Sequence, residues 1–407
     1  MYESNLSQLG LMFGTFVAQI LSLVSTIVIA RLLTPSLYGK YSISLIILTT
    51  LMPFSTKKVE TYLVNAKIAH VYSIMRETII RIFILSGIYG VILSGISSFL
   101  WDFKLFEVIT YGLGIFLINL IINFGVLAIA LSLRTRNFFS VAMSGIWQNG
   151  LTLVTQIVML QISNSIETLL YGFLLGRCLA LIIFFFWKDF RNSLSTVIKF
   201  KVLNSKGEHR VRRDIYLASI LDQISLNSPL VIALLINNQN LLGVSSLALI
   251  IALAPATLII SGFSMTFLTY GSLSHTEKEL QLKNNFFVLI TLSLMYLLSL
   301  HFVVGLFGER FFGENWLNSI KFVQYFAIPI SLLIIISPYL QLKTGMGEVK
   351  ISRISNIGGI LGVAFVFFTF YGRFSEETII EFVLFGKAIG QLLPIVTDLL
   401  KVKKPRS

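Results

Sequence analysis

The sequence predicts an all-α polytopic membrane protein, with about 12 transmembrane helices in two six-helix lobes around a central cavity. Hydrophobic residues make up 55% of the chain and charged residues only 13%, whereas soluble domains carry about 25% charged residues. The charges also cluster in short gaps between long apolar stretches, and residues 4–30 and 223–274 contain none. About 20 apolar residues cross a bilayer as a helix, because lipid offers the backbone no hydrogen-bond partner.

Twelve stretches fit this description and are predicted to span the membrane. They are, in chain order, 8–31, 41–63, 80–101, 108–132, 138–161, 168–188, 215–236, 241–269, 286–308, 319–342, 354–372 and 377–400. The uncharged part of the second stretch, 41–56, is too short to span alone, and it needs the following turn with Lys57, Lys58 and Glu60 to reach full length. Long lysine side chains can extend from such a position to the membrane surface.

The distribution of Lys and Arg predicts the orientation of these helices. Even-numbered gaps and the C-terminus hold 24 of these residues, and odd-numbered gaps hold six. Cytoplasmic loops are the ones enriched in Lys and Arg, so both termini are predicted to be cytoplasmic. This rule also accounts for the net charge of +13, and no basic face interleaved with aromatics suggests a nucleic-acid partner.

The longest gap divides the chain into equal halves. The predicted parts are an N-terminal lobe over 1–188, a basic cytoplasmic linker over 189–214, a C-terminal lobe over 215–400 and a basic tail over 401–407.

The two halves also share a weak repeat, because LYGKYSISL at 37–45 matches LLGVSSLAL at 241–249 in its Gly and in the Ser-x-x-Leu that follows. Repeated six-helix halves are a known transporter plan, although chance similarity between two apolar segments is the alternative.

One segment of the chain resembles a known family. Residues 30–42, ARLLTPSLYGKYS, resemble the first hairpin of the polysaccharide exporters of the multidrug/oligosaccharidyl-lipid/polysaccharide superfamily. The helix count, the cytoplasmic termini and the central basic linker are similar to those of the O-antigen (Wzx-type) flippases. Ser36 stands where that family often has an acid, so no role of an acid carries over.

The resemblance implies a flippase for undecaprenyl-diphosphate-linked oligosaccharide, an O-antigen or capsule repeat unit, in the bacterial inner membrane. Its implied partners are the lipid-linked oligosaccharide, membrane lipids and a polysaccharide polymerase with its chain-length regulator. The alternatives are a cation-coupled drug or small-molecule exporter of the same superfamily and a membrane-embedded glycosyltransferase. The external gaps are too short for a catalytic domain, and with no phosphate-loop motif or Cys/His cluster we expect neither an enzyme, a cofactor nor a metal.

Three charged residues inside predicted spans are the candidates for function, because such charges are costly in lipid. Arg177 in span six and Lys387 in span twelve are expected to bind the phosphates. The alternative for Arg177 is an ion pair with Asp222, and the alternative for Lys387 is snorkelling to the membrane surface, from which it is about ten residues away. Asp222 in span seven, shortly before Pro229, is the candidate for ion coupling; its alternative is that same structural pair.

Two further cations lie near the ends of the first two spans. Arg31 flanks the first external turn, and Lys58 lies at the cytoplasmic end of span two. Both are predicted to guide the anionic head group, with interfacial anchoring as the alternative.

Overall fold

The computed structural model describes residues 2–57, 63, 68–101, 104–134, 137–186, 209–236, 238–269, 275–345 and 349–402. The regular structure of these residues is helical. The α-helices are α1 (Tyr2–Leu32), α2 (Pro35–Thr56), α3 (Ile68–Trp101), α4 (Leu105–Arg134), α5 (Phe138–Ile162), α6 (Ile166–Phe186), α7 (His209–Leu226), α8 (Ser228–Leu235), α9 (Gln239–Thr269), α10 (His275–Phe312), α11 (Leu317–Gly345), α12 (Val349–Phe370) and α13 (Glu376–Val402).

The described helices confirm an all-α, multi-pass membrane protein. Ten of them are long and apolar enough to cross a membrane. The pair α7 and α8, bent by 56° at the break between them, passes the same test together, as a broken span or a re-entrant loop. The remaining predicted span, 138–161, corresponds to α5, whose 25 residues are sufficient in length. Its hydropathy is lower because amides at Gln148, Asn149 and Gln156 interrupt the apolar sequence.

The second helix begins earlier than predicted. We expected a span over 41–63, but α2 runs from Pro35 to Thr56. Proline is favoured in the first turn of a helix, because an N–H at that position would have no intrahelical acceptor. The first turn is closed by the Tyr38 N–H, which donates to the Thr34 carbonyl at 3.0 Å. At the other end Lys57 has a φ of 49°, which stops the helix before the lysine turn. Lys58 itself lies outside the described residues.

The chain divides into two compact units. Unit 1 comprises Met1–Ile29 and Ser44–Tyr216, and unit 2 comprises Ala30–Ile43 and Leu217–Ser407. The end of α1 and the first turns of α2 therefore belong with the C-terminal half. The predicted domain limits stay predictions, since most of the basic linker and the end of the tail (187–208 and 403–407) lie outside the described residues.

Unit 1 is held together by helix pairs that follow one another in the sequence. The helix α3 packs along α4, α5 packs along α6, and α4 also contacts α6. Small residues allow the closest approaches, because a Cβ added at Gly172 would lie 2.8 Å from the Gln156 Cα. In lipid the hydrophobic effect does not drive helices together, so van der Waals contacts from such close backbone packing are a main contribution to helix association.

Unit 2 has a comparable arrangement of pairs. The helix α12 packs along α13, and α11 contacts α9, α10 and α13. Prolines lie inside three of these helices, at Pro255 in α9, Pro329 and Pro338 in α11, and Pro394 in α13. Each proline removes one backbone hydrogen bond, so the helices can bend at these positions.

Candidate functional site

Arg177 lies in the middle of α6 and is half-buried. A terminal N–H of its guanidinium donates to Gln148 Oε1 of α5, and its guanidinium carbon lies 5.0 Å from the centre of the Phe173 ring. Next to it, Gly176 packs directly on the backbone of Thr152. The amide and the ring orient a planar cation inside a membrane span, which is an arrangement suited to bidentate recognition of phosphate or carboxylate.

The span formed by α7 and α8 is broken at Asn227. Pro229 has no N–H to donate to the Ser225 carbonyl, which is the partner that a continuous helix would provide. Instead the Ser228 hydroxyl donates to that carbonyl at 2.7 Å. The break is therefore chemically satisfied, and it leaves Asp222 one turn before the bend.

Lys387 is almost completely buried, with 1% of its surface exposed. Among the described residues, the Asp222 carboxylate is near enough to act on its ammonium electrostatically. No carboxylate among the described residues comes close enough to form a direct salt bridge with it. Asp222 thus has an electrostatic neighbour in unit 2, and Arg177 bonds to Gln148 in unit 1.

Two amide side chains link the helices that carry these charges. Gln391 follows Lys387 by one helical turn, and its Nε2 donates to Asn356 Oδ1 at 2.8 Å. Asn356 Nδ2 in turn donates to the Ala218 carbonyl at 3.0 Å, so α7, α12 and α13 are joined by one buried network. We call Asp222, Ser225, Asn356, Lys387 and Gln391 the polar cluster.

Two glycine pairs hold α12 against α13 beside this cluster. A Cβ added at Gly358 or Gly390 would overlap the carbonyl oxygen of the other residue, and the same is true of Gly362 and Gly386. The spacing is Gly-x-x-x-Gly on both helices, which brings backbones together in membranes. The small neighbours of Lys387 therefore admit a second helix rather than a ligand in this structure.

Residues 30–43, which comprise the end of α1, the turn after it and the first turns of α2, pack within unit 2. We call them the tip segment. In this segment α2 crosses α9 where Gly39 meets Gly243. A Cβ added at Gly39 would lie 2.7 Å from the Gly243 nitrogen, and a Cβ added at Gly243 would overlap the Pro35 carbonyl oxygen. Each glycine is the fifth residue of its own helix. The two equivalent glycines of the predicted repeat are thus in contact with one another.

Arg31 and Trp316 fasten the tip segment to the end of α10 and the start of α11. The Arg31 Nε donates to the Phe311 carbonyl at 2.6 Å, and a second guanidinium nitrogen donates to the Arg310 carbonyl. The Trp316 indole N–H donates to the Ala30 carbonyl at 2.9 Å. The Arg310 and Phe311 carbonyls belong to the last turn of α10, where carbonyls lack an intrahelical partner. The Ala30 carbonyl near the end of α1 also accepts a hydrogen bond from the Leu33 N–H at 3.4 Å.

Replacing Trp316 by phenylalanine should isolate the contribution of this indole hydrogen bond. The ring would still pack against Tyr38, whose centroid lies 5.4 Å away, but the buried Ala30 carbonyl would lose its shorter hydrogen bond and keep only the one of 3.4 Å from the Leu33 N–H. We expect a loss of about 1 kcal/mol, measured as a lower melting temperature of the purified protein. The control is Trp147→Phe at an exposed position, and equal losses in both variants would contradict the proposed role.

The structure gives the surroundings of the predicted residues that it describes. Asp222 and Lys387 lie in one cluster, and Arg31 bonds to helix-terminal carbonyls; the substrate roles predicted for Arg31, Lys58, Arg177 and Lys387 stay predictions. Sequence reasoning missed Gln148, Asn356 and Gln391. For Gln391 a signal was present, since residues four apart share one helix face, and it follows Lys387 by four.

Comparisons with known proteins find similar structures but no similar sequences. A scan against protein-family models finds no match, and a search of curated proteins finds no match to the sequence.

Solved structures match over nearly the whole chain. An inward-facing multidrug resistance MATE family transporter of the MOP superfamily has a TM-score of 0.71 at 15% identity, covering 96% of both chains. The lipid II flippase MurJ, in an inward closed conformation, has a TM-score of 0.68 at 14% identity, covering 97% of this chain and 87% of its own. A MOP superfamily transporter from Pyrococcus furiosus has a TM-score of 0.58 at 14% identity, covering 97% and 94%. The chain therefore has the fold of the multi-pass transporters of the MOP superfamily.

Proposed function

We propose that this protein is a flippase, a secondary transporter that moves undecaprenyl-diphosphate-linked oligosaccharide across the bacterial inner membrane. The glycan would be an O-antigen or capsule repeat unit, as the resemblance at residues 30–42 implies. Transport would proceed by alternating access, with both chain termini in the cytoplasm. A polysaccharide polymerase and a chain-length regulator would then use the product.

The observation that carries this proposal is the placement of Arg177. An arginine in the middle of a membrane helix costs about 2.5–3.5 kcal/mol on insertion scales, so such residues usually serve a function. Gln148 and Phe173 hold the guanidinium in a fixed orientation. Since a guanidinium donates two parallel hydrogen bonds to a phosphate, Arg177 is the residue that we assign to the diphosphate.

Lys387 has a different position in the proposal. Lys387 is buried, so a ligand cannot reach it in this structure. We therefore assign Lys387 to the polar cluster with Asp222 and not to the substrate site. Asp222 remains the candidate for ion coupling. Arg31 would contribute by fixing the tip segment through the carbonyls of Arg310 and Phe311.

The test is a flipping assay in proteoliposomes that contain fluorescent undecaprenyl-diphosphate oligosaccharide. We expect the wild type to move the labelled lipid to the outer leaflet, where an external quencher reaches it. Arg177→Gln should lower the rate of this flipping about tenfold or more, because charge-assisted hydrogen bonds contribute about 1.5–3 kcal/mol. Arg177→Lys should recover only part of the rate, because lysine lacks the planar fork.

The control variant is Arg373→Gln, which removes an exposed arginine at the end of α12. A wild-type rate no faster than that of protein-free liposomes would overturn the proposed function. A wild-type rate in Arg177→Gln would instead show that this residue does not bind the diphosphate.

A second candidate is a cation-coupled exporter of drugs or small molecules. It is favoured by the match to a multidrug resistance transporter with a TM-score of 0.71. The charges in the predicted spans argue against cationic drugs, because Arg177 and Lys387 outnumber Asp222. Uptake of a fluorescent cationic dye into proteoliposomes, with no flipping of the lipid-linked sugar, would favour this candidate.

A further inference from the structure

A groove runs along the broken helix pair α7 and α8 on the surface of unit 2. It has a volume of about 270 Å³ and lies between this pair and α12. The pair is bent by 56° at its break, whereas α12 continues as one helix from Val349 to Phe370. A bent pair cannot lie flush along the whole length of an unbroken neighbour, so the groove is the space that the break leaves between them.

The groove has a closed floor and an open side. Ile232 and Val363 are buried at its floor, whereas Leu235 is 68% exposed and Phe368 is 78% exposed at its edges. The atoms that the walls present to the groove are apolar, and the hydroxyl of Ser228 donates to a backbone carbonyl. Among the described side chains that line the groove, none offers it an exposed polar atom.

The groove lies at the depth of the membrane. Its α12 wall, from Ile360 to Phe368, belongs to the apolar span Lys350–Phe370. Lipid hydrocarbon fills a space of this kind, because apolar cavities do not retain water and a void would deprive the walls of their van der Waals contacts. The volume is close to the lower limit of about 300 Å³ for ligand pockets, so the groove admits a segment of one chain and not a whole lipid.

The shape and the walls of the groove favour one kind of chain. A saturated acyl chain is straight in its preferred staggered form and follows a bend only through less favourable torsions. A polyisoprenoid has a double bond in each isoprene unit, so its turns are partly fixed and fewer torsions are ordered on binding. Its alkene groups also pack well on aromatic rings, and the α12 wall offers the rings of Phe367 and Phe368, whose centroids lie 5.5 Å apart.

We propose that the groove between α12 and the pair α7 and α8 binds a segment of polyisoprenoid chain, the tail of the lipid-linked substrate. For the identity of this lipid the proposal rests on the proposed function. The chain leaves one apolar phase for another, so the hydrophobic effect does not drive its binding. Selectivity comes from the fit of the chain between the walls.

The test uses undecaprenyl phosphate that carries a photoreactive diazirine in its tail and no sugar. It is added to the purified full-length protein in detergent, and after irradiation mass spectrometry should find the label on α8 and α12. Ala364→Phe, which adds a ring to the α12 wall, should reduce this labelling about fivefold or more, since an overfilled site binds a chain poorly. The control is Val91→Phe at a 74% exposed position of α3, which should leave the labelling unchanged.

Competition separates the two sources of hydrocarbon. An excess of unlabelled undecaprenyl phosphate should displace the label, and an equal excess of phosphatidylcholine with saturated chains should not. Equal displacement by both lipids would overturn the proposal, as would labelling that Ala364→Phe leaves unchanged. If Ala364→Phe does not fold, Val231→Phe fills the groove from the opposite wall, and the competition in the wild type decides by itself.

The labelling needs neither a sugar nor transport, so its outcome is independent of the flipping assay. Selective labelling of the groove in a protein that does not flip the lipid-linked oligosaccharide would overturn the proposed function and keep the tail site. Flipping by a protein whose groove is not labelled would overturn the tail site and keep the proposed function.

Discussion

Replacing Gly243 by alanine should destabilise unit 2 by about 3 kcal/mol or more, the upper part of the range for overpacking. The added methyl group would overlap the carbonyl oxygen of Pro35, and a backbone atom cannot rotate away. Separation of the tip segment from α9 would also strain the bonds of Arg31 and Trp316 nearby. The measurement is the melting temperature in detergent, together with the flipping rate in proteoliposomes.

The matched control is Gly87→Ala in α3, where an added Cβ meets nothing within 4 Å. In an open helical position alanine is favoured over glycine by about 1 kcal/mol, so this variant should be at least as stable as the wild type. If Gly243→Ala also kept wild-type stability, the contact between the two repeat glycines would not be a structural constraint.

Alanine at Gly362 or at Gly386 should separate α12 from α13 and cost about 3 kcal/mol or more in each case. At each position the new Cβ would overlap the carbonyl oxygen of the other glycine. The double variant should lose less than the sum of the two, because one displacement of the helices accommodates both methyl groups. Chemical or thermal unfolding of the three variants measures this coupling.

A second open position, Gly95 in α3, provides the control for this pair, since nothing lies within 4 Å of an added Cβ there. Losses that add independently would show that the two contacts relax separately. Losses no larger than in Gly95→Ala would show that α12 and α13 do not depend on the glycine contacts.

The helical content of the protein was predictable from the apolar stretches, and the reason is the solvent. Lipid forces each long apolar segment into a helix, and the helices described here follow the predicted spans. Boundaries were less predictable, as α2 shows, because its first residue is set by Pro35 and not by hydropathy. Likewise α5 had to be recognised by length, since its amides lower its hydropathy.

The candidate site was predictable only in part. Arg177, Asp222 and Lys387 stood out because each is a charge inside an apolar stretch. The residues that surround them could not be identified from the sequence. Gln148 lies 29 residues from its partner Arg177, and Asn356 lies 35 residues from its partner Gln391. Such pairs depend on how two helices pack, and no local pattern in the chain encodes that packing.

The sequence by itself determined that this chain is a multi-pass helical membrane protein with a few stranded charges, because hydropathy and charge act residue by residue. The tertiary structure decided what the small residues do. It brought Gly39 to Gly243, placed Gly358 against Gly390, and put Asp222 near Lys387. A glycine permits close approach of another backbone but does not specify which one. The packing of whole helices determines which backbones meet, so the tertiary structure was needed to identify these pairs.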